Sequence, residues 1–596
     1  MNLTTVIAEP TQKYLSEVLS KLPLGILNKN QTNVGGSHMA LNSPENYILV
    51  APTRDLIDNK LAQPNNSIFE LFGVYGGVSR VAFKNYICNN ELHHILVTYD
   101  SLPKLIKWLE ALDINAYDYN ILYDEYHLLL TEMRYRSRAV ETLVRIATRF
   151  RHYTFMSATP VIEQFLPSVL AELPYTIVKW TNTRNIIPTR FSTHCVYRTT
   201  VRLLQDFSNG QLLEEKQVEE FFVFTNSVKG IKQILDTAKL DPSEVKVVCA
   251  NTIRNSQILD NYEISTMTGE NRKYNFFTSK GFQGCDLYST SGLTIVVSDS
   301  KKKHTLTDIQ TALYQINGRI KNEDNVFRDK LFHVYSTGYV TLTEEDFLKE
   351  KEELINTATQ LVDDQNSKTE ELRLLYKNRL NIENDFIVFN DETKEYEYSE
   401  LKQKFYEYNY YLTQHTYKNG LSVRKAYEDA NLDSDNEEKV ANKDSHIELT
   451  KRITTVSFKT LFEQYIELRE DKNSDKELVK RYEFEHPIFK DAFDKLGAKV
   501  INSCKFNEKA IRDRLYLTSS ESTELIKRVV LQELDTTQSY TLPEIKQLLI
   551  KVYSKLNLRG TPKAKDLVNI LSDATVTPKF ITKRINGKNT EIMQFI

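Results

Sequence analysis

Short apolar segments alternate with amphipathic stretches along residues 1–340. The β-rich segments are YILVAP, HHILVTY, YNILYDE and HYTFMSA, followed by FFVFTN, VKVVCA, YNFFTS and LTIVVSD. Such alternation is typical of parallel sheets built from strand–helix–strand units. The two sets are separated near residues 180–195 by WTNTRNIIPTRF. We therefore predict an α/β fold with two tandem lobes, over 25–185 and 186–340, preceded by a helical lead-in over 1–24.

A helical pattern replaces this alternation after the second lobe. TEEDFLKEKEELINTATQLV opens with Thr343 and Asp346 in capping-box spacing and keeps one apolar face, which predicts a long helix. Residues 431–446 are polar, acidic and without periodicity, as in a linker or loop. We expect mostly helical accessory regions on either side of it, over 341–430 and 447–535.

The last segment, residues 536–596, has the pattern of a small basic module. An apolar helical face, a second helix start at Thr561 and two strands around an Asn586-Gly587 turn predict helix, helix and hairpin. From Lys551 onward there are nine Lys or Arg against three Asp or Glu, a surplus that suits phosphate contacts. We predict a winged-helix module, with a packing domain that has a solvated basic face as the alternative.

Composition indicates a multidomain protein without a membrane span. A chain of 596 residues exceeds one hydrophobic core, and 41% hydrophobic with 26% charged residues is ordinary for globular chains. No apolar run approaches the roughly 20 residues that a membrane span needs, and no targeting signal is visible at the start. The five cysteines stand singly, without the CxxC pairs of a zinc site, and the net charge of −3 excludes a polycation. We expect a cytoplasmic protein.

An acid pair stands at the end of the predicted strand in YNILYDEYH. Asp124 and Glu125 follow this strand and shortly precede His127. In nucleotide hydrolysis the first such carboxylate can hold magnesium, and the second can take a proton from the attacking water. An isolated acid pair more often caps the next helix. The order of other polar segments along the chain favours the catalytic interpretation. The first of these is SATP, with Ser157 and Thr159, after the next strand.

Further polar segments follow the predicted strands in a fixed order. NVGGS precedes the strand that leads into APTRDL, and VTYDSL follows; the second lobe has FTNS, TSKGFQGCD and QINGR. This series resembles superfamily 2 helicases and translocases of the DExH-box type, most sharply at DEYH, SATP and QINGR. The resemblance covers residues of about 25–340. APTRDLIDNKL, VTYDSLPKL and DEYHLLL are also similar to helicase-like proteins of tailed bacteriophages.

The resemblance implies two RecA-like lobes that bind ATP and Mg²⁺ between them, with a nucleic-acid strand across their tops. It implies that Asp124 and Ser37 hold the metal, that Glu125 activates water, and that Gln315 and Arg319 reach the γ-phosphate. The other implied roles are nucleotide binding by Thr32, Gly35, Gly36, Ser37, Gly284 and Asp286, coupling of the lobes by His127, Ser157 and Thr159, and strand contact by Thr53, Arg54, Thr98, Thr225 and Thr278.

The predicted phosphate loop departs from the usual pattern. GxxxxGK followed by Ser or Thr has lysine where this chain has Gly36, and Asn30 stands at the first glycine. Asn322 likewise replaces the usual arginine at the end of the last motif. Either another cation substitutes, Lys29 with Lys321 assisting, or the site binds nucleotide poorly. We favour substitution because the other site residues are kept together.

The sequence thus predicts an ATP-dependent helicase or translocase. The winged-helix pattern and the phage resemblance favour DNA over RNA, with replication or recombination proteins as partners, a monomeric state and, for a phage protein, the host cytoplasm. The alternatives are a catalytically silent nucleic-acid-binding scaffold and a motor joined to a nuclease or primase. Residues 405–417, FYEYNYYLTQHTY, are aromatic enough to stack bases, although such stripes are more often core.

Overall fold

The computed structural model describes residues 3–32, 34–62, 67–181, 186–282, 286–338, 342–377, 386–432, 438–440, 456–471, 474–517, 520–556, 561–571, 578–585 and 588–595. The chain forms two compact units. Unit 1 comprises Met1–Asn251 and Leu259–Ile453, and unit 2 comprises Thr252–Ile258 and Thr454–Ile596. None of the described helices is long and apolar enough to cross a membrane.

Lobe 1, the first part of unit 1, is built on an eight-stranded parallel sheet. Its strands are β1 (Leu3–Ile7), β2 (Gly25–Asn28), β3 (Tyr47–Ala51), β4 (Leu71–Val74), β5 (His94–Thr98), β6 (Asn120–Asp124), β7 (His152–Ser157) and β8 (Tyr175–Lys179). They lie in the order β1-β8-β2-β7-β6-β3-β5-β4. Its helices are α1 (Leu15–Val18), α2 (Gly36–Leu41), α3 (Arg54–Ala62), α4 (Arg80–Asn89), α5 (Leu102–Glu110), α6 (Leu128–Ala147) and α7 (Ser168–Ala171).

The central strands β3, β5 and β6 are buried at every position because both faces of the sheet are covered. Ile48 and Val50 of β3 belong to one hydrophobic cluster, and Leu49 and Ala51 belong to another. Successive side chains of a strand point to opposite faces, so a sheet between two helical layers gives continuous apolar runs. This is the origin of segments such as YILVA.

The predicted helical lead-in over residues 1–24 is wrong at its start. Leu3–Ile7 is a strand that pairs in parallel with β8 at the edge of the sheet. The segment LTTVI is rich in β-branched residues, which favour strands over helices. Most of its side chains are exposed, so the segment lacks the continuous apolar run that marks the other strands.

Lobe 2 is built on a second parallel sheet. Its strands are β9 (Ile187–Ser192), β12 (Glu220–Phe224), β13 (Val245–Val248), β14 (Tyr274–Phe277), β15 (Gly292–Ser298) and β16 (Lys330–Tyr335), with a small hairpin of β10 (Leu212–Leu213) and β11 (Lys216–Gln217). The order is β13-β14-β12-β15-β16-β9. The helices are α8 (Val196–Ser208), α9 (Val228–Ala238) and α11 (Tyr314–Asn317), with a π-helical turn at Ile309–Leu313 before α11. Helix α10 (Ile253–Leu259) lies between β13 and β14 in the chain, but all of it except Leu259 belongs to unit 2. The predicted pair of RecA-like parallel α/β lobes is confirmed.

The chain after lobe 2 is mostly helical, as predicted. Its elements are α12 (Glu344–Asn366), α13 (Glu370–Lys377), the hairpin β17 (Ile387–Asn390) and β18 (Glu395–Tyr398), α14 (Glu400–Tyr410), a π-helical turn at Tyr411–Thr416, and α15 (Gly420–Asp429). The long helix α12 begins as predicted, because the Thr343 hydroxyl accepts the Asp346 N–H at 3.1 Å.

Residues 400–432, here called the bridging segment, pack against both lobes. Glu400 accepts hydrogen bonds from the N–H and hydroxyl of Ser168 in lobe 1. The Tyr408 hydroxyl donates to Asp308 of lobe 2 at 2.7 Å, and Tyr417 is fully buried. The aromatic stripe predicted as a possible base-stacking surface is therefore largely core, which was the commoner interpretation.

The predicted acidic linker over residues 431–446 contains a strand. Residues Glu438–Val440 form β19, which pairs in parallel with β9 and adds a seventh strand to the edge of the second sheet. Pairing with an open sheet edge satisfies backbone groups whatever the side chains are, so polarity alone did not reveal it. Residues 433–437 and 441–446 lie outside the described part.

Unit 2 is helical and ends in a small sheet. Its elements are α16 (Phe458–Glu470), α17 (Lys476–Glu485), α18 (Pro487–Ser503), α19 (Glu508–Leu517), α20 (Ser520–Glu533), β20 (Tyr540–Thr541), α21 (Leu542–Lys555), α22 (Asp566–Ile570), β21 (Pro578–Ile585) and β22 (Lys588–Phe595). Ile253 of α10 packs with Leu461 and Phe489 in its core. The sheet is antiparallel in the order β20-β22-β21.

The end of unit 2 has the element order of a winged-helix module. Helices α21 and α22 and the hairpin of β21 and β22 follow one another in the predicted order, and helix α20 and the short strand β20, which were not predicted, precede them. The predicted helix start at Thr561 is wrong: α22 begins at Asp566, whose carboxylate accepts the Lys563 N–H at 2.7 Å in the preceding turn. The predicted Asn586-Gly587 turn lies outside the described residues.

Candidate active site

The carboxyl ends of the lobe 1 strands bring the predicted site residues together. Asn28 at the end of β2 is in register with Ser157 at the end of β7, and Asp124 of β6 is in register with Met156. Residues that follow neighbouring parallel strands share one edge of the sheet. Lys29 and Glu125, each the first residue after its strand, therefore lie close to each other.

The backbone of Lys29 is fixed on both sides. Its N–H donates to the Ser157 carbonyl at 2.9 Å, and its carbonyl accepts the indole N–H of Trp180 at 2.7 Å. Six residues later Gly35, at a φ of +85°, caps helix α2, and Gly36 begins it. The left-handed conformation at Gly35 suits glycine, because a side chain there is strained. The loop is thus anchored at its start and turns sharply at its end.

The space beside Gly36, where a phosphate loop usually carries its lysine, is filled by other side chains. A Cβ atom at Gly36 would lie 2.2 Å from the Met156 sulfur and 3.2 Å from a Leu15 methyl. Both neighbours belong to the fully buried core on that face of the sheet. A lysine at this position requires the Met156 side chain to move. The core packing around position 36 therefore favours glycine over lysine.

Asp124 has the surroundings of a metal ligand. The Ser37 hydroxyl donates to its Oδ2 at 2.7 Å, and Lys60 Nζ lies 3.5 Å from the same oxygen. Its Oδ1 is buried and has no hydrogen-bond partner among the residues that the structure describes. An orphaned carboxylate oxygen beside a serine hydroxyl is a ligand set that Mg²⁺ accepts when phosphate and water oxygens complete it. Within the described ranges, no three His, Cys, Asp or Glu side chains cluster as a metal site.

Glu125 lies in a turn and is surrounded by donors. Its φ of +54° is left-handed, a conformation that costs energy for a residue with a side chain and that clusters at functional sites. Lys29 Nζ lies 3.3 Å from Oε1. The other oxygen, Oε2, has His127 Nδ1 at 3.3 Å and accepts from Gln315 Nε2 at 3.3 Å and from Ser157 Oγ at 3.4 Å. Glu125 is the point at which four predicted site residues meet.

Lys29 and Glu125 hold each other in the charged form. Burial alone raises the pKa of a carboxyl group, but the charges of Lys29 and His127 outweigh it and keep the pKa of Glu125 far below its ordinary value. Burial likewise lowers the pKa of an ammonium group, but the carboxylates of Glu125 and Asp124 outweigh it and raise the pKa of Lys29. The pair is therefore ionised at neutral pH.

A chain of hydrogen bonds runs from the acid motif of lobe 1 to lobe 2. His127 Nδ1 lies 2.8 Å from Ser157 Oγ, and Ser157 Oγ accepts the Thr159 N–H at 3.0 Å. Gln315 of lobe 2 donates from Nε2 to Thr159 Oγ1 at 3.1 Å as well as to Glu125. Of the three residues that the resemblance assigns to coupling, Thr159 contacts lobe 2 directly, and Ser157 and His127 are linked to it within lobe 1.

Arg319 lies behind Gln315 and orients it. Its guanidinium donates to the Gln315 carbonyl at 2.7 Å and to the Gln315 side-chain oxygen at 2.9 Å. The adjacent Gly318 lies against Thr32 of the loop, because a Cβ there would be 2.9 Å from the Thr32 hydroxyl. The charge of Arg319 also contributes to the low pKa of Glu125. This arginine therefore belongs to the same charged cluster.

Asp286, a predicted nucleotide-binding residue, pairs with a lysine of its own lobe. Asp286 forms an ion pair with Lys321 at 3.1 Å, and Gly284 lies outside the described residues. Lys321 also donates to the Gly318 carbonyl at 3.4 Å. The contacts of Lys321 run to Asp286 and the backbone, whereas those of Lys29 run to the acid pair.

The predicted strand-contact residues differ in accessibility. Arg54 is exposed, pairs with Asp58 at 3.0 Å and lies over the Tyr75 ring. The Thr53 hydroxyl accepts the Leu56 N–H at 3.3 Å at the start of α3. The remaining three are buried and lie at or just after strand ends: Thr98, Thr225 and Thr278 are 8%, 1% and 7% exposed.

Sequence reasoning missed three residues that shape the site. No motif marks Lys60, which stands in helix α3 well after APTRDL but reaches Asp124. Trp180 holds the Lys29 carbonyl from a segment that reads as a linker between lobes. Met156 lies in an apolar strand segment, and its role of filling the space beside Gly36 is visible only in the structure. Each contact depends on strand order, which sequence spacing does not give.

No protein-family model and no curated protein matches the sequence. Among solved structures, Mss116p bound to ssRNA and AMP-PNP is 12% identical with a TM-score of 0.37, over 62% of this chain and 91% of that one. The Mycobacterium smegmatis helicase Lhr bound to ssDNA and AMP-PNP is 14% identical with a TM-score of 0.35, over 61% and 49%. The E. coli DExH-box NTPase HrpB is 13% identical with a TM-score of 0.37, over 94% and 60%. At TM-scores this low, the function is argued below from the residues of this chain.

Proposed function

We propose that this protein is an ATP-dependent helicase or translocase that hydrolyses ATP between its two lobes. The observation that supports this most directly is Gln315 of lobe 2, which contacts both Glu125 and Thr159 of lobe 1. An acid pair, a glycine turn and a cationic cluster in one lobe, contacted by Gln and Arg of the other, are what phosphoryl transfer between two lobes needs. A packing interface alone does not need four polar groups around one mostly buried carboxylate.

Asp124 and Ser37 are the residues that would hold Mg²⁺ in this site. Bound there, the ion would neutralise charge on the phosphate oxygens. Arg319 offers a guanidinium from lobe 2 to offset charge that develops on the transferred phosphoryl group.

Lys29 is the cation that we assign to the missing loop lysine, and its release would activate Glu125. In the structure Lys29 pairs with Glu125. When the Lys29 ammonium group binds phosphate oxygens in place of the Glu125 carboxylate, Glu125 loses its strongest positive neighbour. The pKa of Glu125 then rises towards the range of a general base. Gln315 and His127 keep the carboxylate in position while it accepts a proton from water.

Coupling to nucleic acid follows from the hydrogen-bond chain across the lobes. ATP would close the cleft, and hydrolysis would release it, so contacts made by Arg54 on lobe 1 and by Thr225 and Thr278 on lobe 2 would shift relative to each other. The basic winged-helix module and the motif sequences favour DNA as the polymer. They also favour a role in replication or recombination in a phage context, carried out by a monomer in the cytoplasm.

The test is ATP hydrolysis measured without polymer and with single-stranded DNA, duplex DNA and RNA. We expect hydrolysis that DNA stimulates and that Glu125→Gln and Asp124→Ala abolish. The control is Glu215→Gln in the turn between β10 and β11, at an exposed site outside the cluster. Equal rates for wild-type protein and Asp124→Ala in all four conditions would contradict the proposal.

The second candidate is a catalytically silent nucleic-acid clamp, which the closed space beside Gly36 favours. A clamp binds DNA with the same affinity with and without nucleotide, whereas a motor changes its affinity with nucleotide state. DNA binding measured by fluorescence anisotropy, with and without a non-hydrolysable ATP analogue, separates the two.

A further inference from the structure

A second lysine contacts the acid pair of Asp124 and Glu125, and it belongs to none of the sequence motifs. Lys60 Nζ, from helix α3, is 3.5 Å from Asp124 Oδ2. The same oxygen accepts the Ser37 hydroxyl at 2.7 Å. The Lys60 side chain is 18% exposed and that of Asp124 is 9% exposed. This ammonium group therefore lies mostly buried, at the carboxylate proposed to hold magnesium.

Each of the two acids has its own lysine. Lys29 forms an ion pair with Glu125, and Lys60 forms one with Asp124. The backbone around Lys29 is fixed by Trp180, whereas Lys60 extends from a helix that carries it on a flexible four-carbon stem. The two cations thus approach the phosphate position from different elements of lobe 1, and neither stands at Gly36.

The pair of Lys60 and Asp124 cannot persist when a divalent cation binds the carboxylate. Lys60 would be repelled by a divalent cation held at Asp124, because both carry positive charge. The Lys60 side chain is mostly buried, and a buried ammonium group is stabilised by a nearby anion. The triphosphate that arrives with the metal supplies anionic oxygens at the same place.

We propose that Lys60 is a second phosphate-binding lysine, which neutralises Asp124 before nucleotide binds and moves to phosphate oxygens when metal and nucleotide arrive. This rests on the proposed function, because it concerns the same site. Lys60 then restores the charge that the loop lacks at Gly36. It also makes Asp124 less available to free metal ions, so metal and nucleotide bind together.

The first experiment measures binding without turnover, with the full-length chain. The probes are a fluorescent N-methylanthraniloyl ATP at fixed Mg²⁺, followed by anisotropy, and Mn²⁺ binding to nucleotide-free protein, followed by electron paramagnetic resonance. For Lys60→Met we expect nucleotide affinity to fall about tenfold or more and Mn²⁺ affinity to rise. Lys60→Arg should retain most of the nucleotide affinity because it keeps the charge.

The matched control is Lys330→Met. Lys330 is 20% exposed and forms an ion pair with Glu214 in lobe 2, so its removal costs similar packing without touching the acid pair. Nucleotide and Mn²⁺ affinities should stay at wild-type values. A fall in nucleotide affinity for Lys60→Met with no rise in Mn²⁺ affinity would overturn the proposed exchange between the two anions.

A second variant keeps the proposal testable if Lys60→Met does not fold. Asp124→Asn removes the competing carboxylate and should strengthen ATP binding in EDTA, where no metal contributes. Adding Lys60→Arg to Asp124→Asn should keep that gain, and adding Lys60→Gln should remove it. An Asp124→Asn protein that binds ATP in EDTA no better than wild type would overturn the role of Lys60.

The failures of the two proposals are distinguishable. If wild-type protein binds no nucleotide with Mg²⁺, the proposed function fails and the role of Lys60 fails with it. If wild-type protein binds nucleotide and Lys60→Met binds it with the same affinity, the role of Lys60 is wrong while the proposed function stands.

Discussion

The side-chain amide of Gln315 lies 3.3 Å from the Glu125 carboxylate, and these two residues belong to different lobes. Gln315 is fully buried and the Glu125 side chain is 15% exposed, so water screens the contact only weakly. An amide that donates to a proposed general base fixes the orientation of that base only when the lobes are together. Lobe closure and base positioning are therefore linked through one hydrogen bond.

We expect Gln315→Ala to separate nucleotide binding from hydrolysis. Loss of a hydrogen bond to a charged group costs about 1.5–3 kcal/mol, which corresponds to a rate reduced by roughly 10- to 100-fold. The polymer-stimulated hydrolysis rate should fall by this factor while the affinity for a non-hydrolysable ATP analogue stays within a few fold. Gln205→Ala, at an exposed position of α8, serves as the control. Equal losses of affinity and rate would show that Gln315 binds nucleotide instead of positioning Glu125.

We expect the pair of Lys29 and Glu125 to show strong coupling in stability. Removing one partner of a buried ion pair leaves an uncompensated charge and costs about 3–5 kcal/mol, whereas removing both costs less. Lys29→Met should therefore lower the melting temperature more than Lys29→Met combined with Glu125→Gln. Thermal unfolding followed by circular dichroism measures this, and additive effects of the two changes would contradict a direct pair.

The fold was largely predictable because apolar runs bounded by polar segments fix the strands, and their alternation with helices fixes a parallel sheet. The eight predicted segments correspond to β3, β5, β6, β7, β12, β13, β14 and β15, whereas the other strands of the two sheets were not singled out, among them β1 and β19 at sheet edges. LTTVI and EKV gain their pairing from a neighbouring strand and not from an apolar pattern. Edge strands bury little side-chain surface, so hydrophobic patterning does not mark them.

The site was predictable where strand ends carry motifs and was not where contacts arise between distant segments. Asp124 and Glu125 follow a strand, so their position at the sheet edge follows from topology. Lys60 reaches Asp124 from the last turn of helix α3, where a lysine usually is a solvated surface residue. Which lysine meets an acid depends on the order of strands in the sheet, and neither spacing nor composition supplies that order.

We expect that restoring the usual loop lysine alone will not restore a conventional phosphate loop. Gly36→Lys places a side chain against Met156, and overpacking of a core typically costs about 1–3 kcal/mol. The melting temperature should fall and nucleotide affinity should not rise. Gly36→Lys combined with Met156→Ala makes room and should recover part of the loss in stability. A single Gly36→Lys variant with unchanged melting temperature and tighter nucleotide binding would contradict this account of position 36.

The stability of unit 1 should depend on pH through His333. This residue is fully buried beneath Tyr427, whose hydroxyl lies 2.7 Å from Nδ1, and Ser298, whose hydroxyl lies 3.1 Å from Nε2. Burial, together with the charge of Arg190, lowers the pKa of His333 to about 3. The folded state therefore keeps His333 neutral at a pH where the unfolded chain already takes up a proton.

The sign of the effect follows from this difference. Between the unfolded pKa of about 6.5 and the folded value, the unfolded state binds more protons, so stability is lost as the pH falls. From pH 7 to pH 5 His333 should contribute a loss of about 2 kcal/mol. Urea unfolding at both pH values should show this loss in wild-type protein. The drop should be smaller by that amount in His333→Gln, because glutamine does not titrate, and unchanged in His38→Gln at an exposed position. An equal drop in all three proteins would show that other groups, and not His333, carry the acid sensitivity.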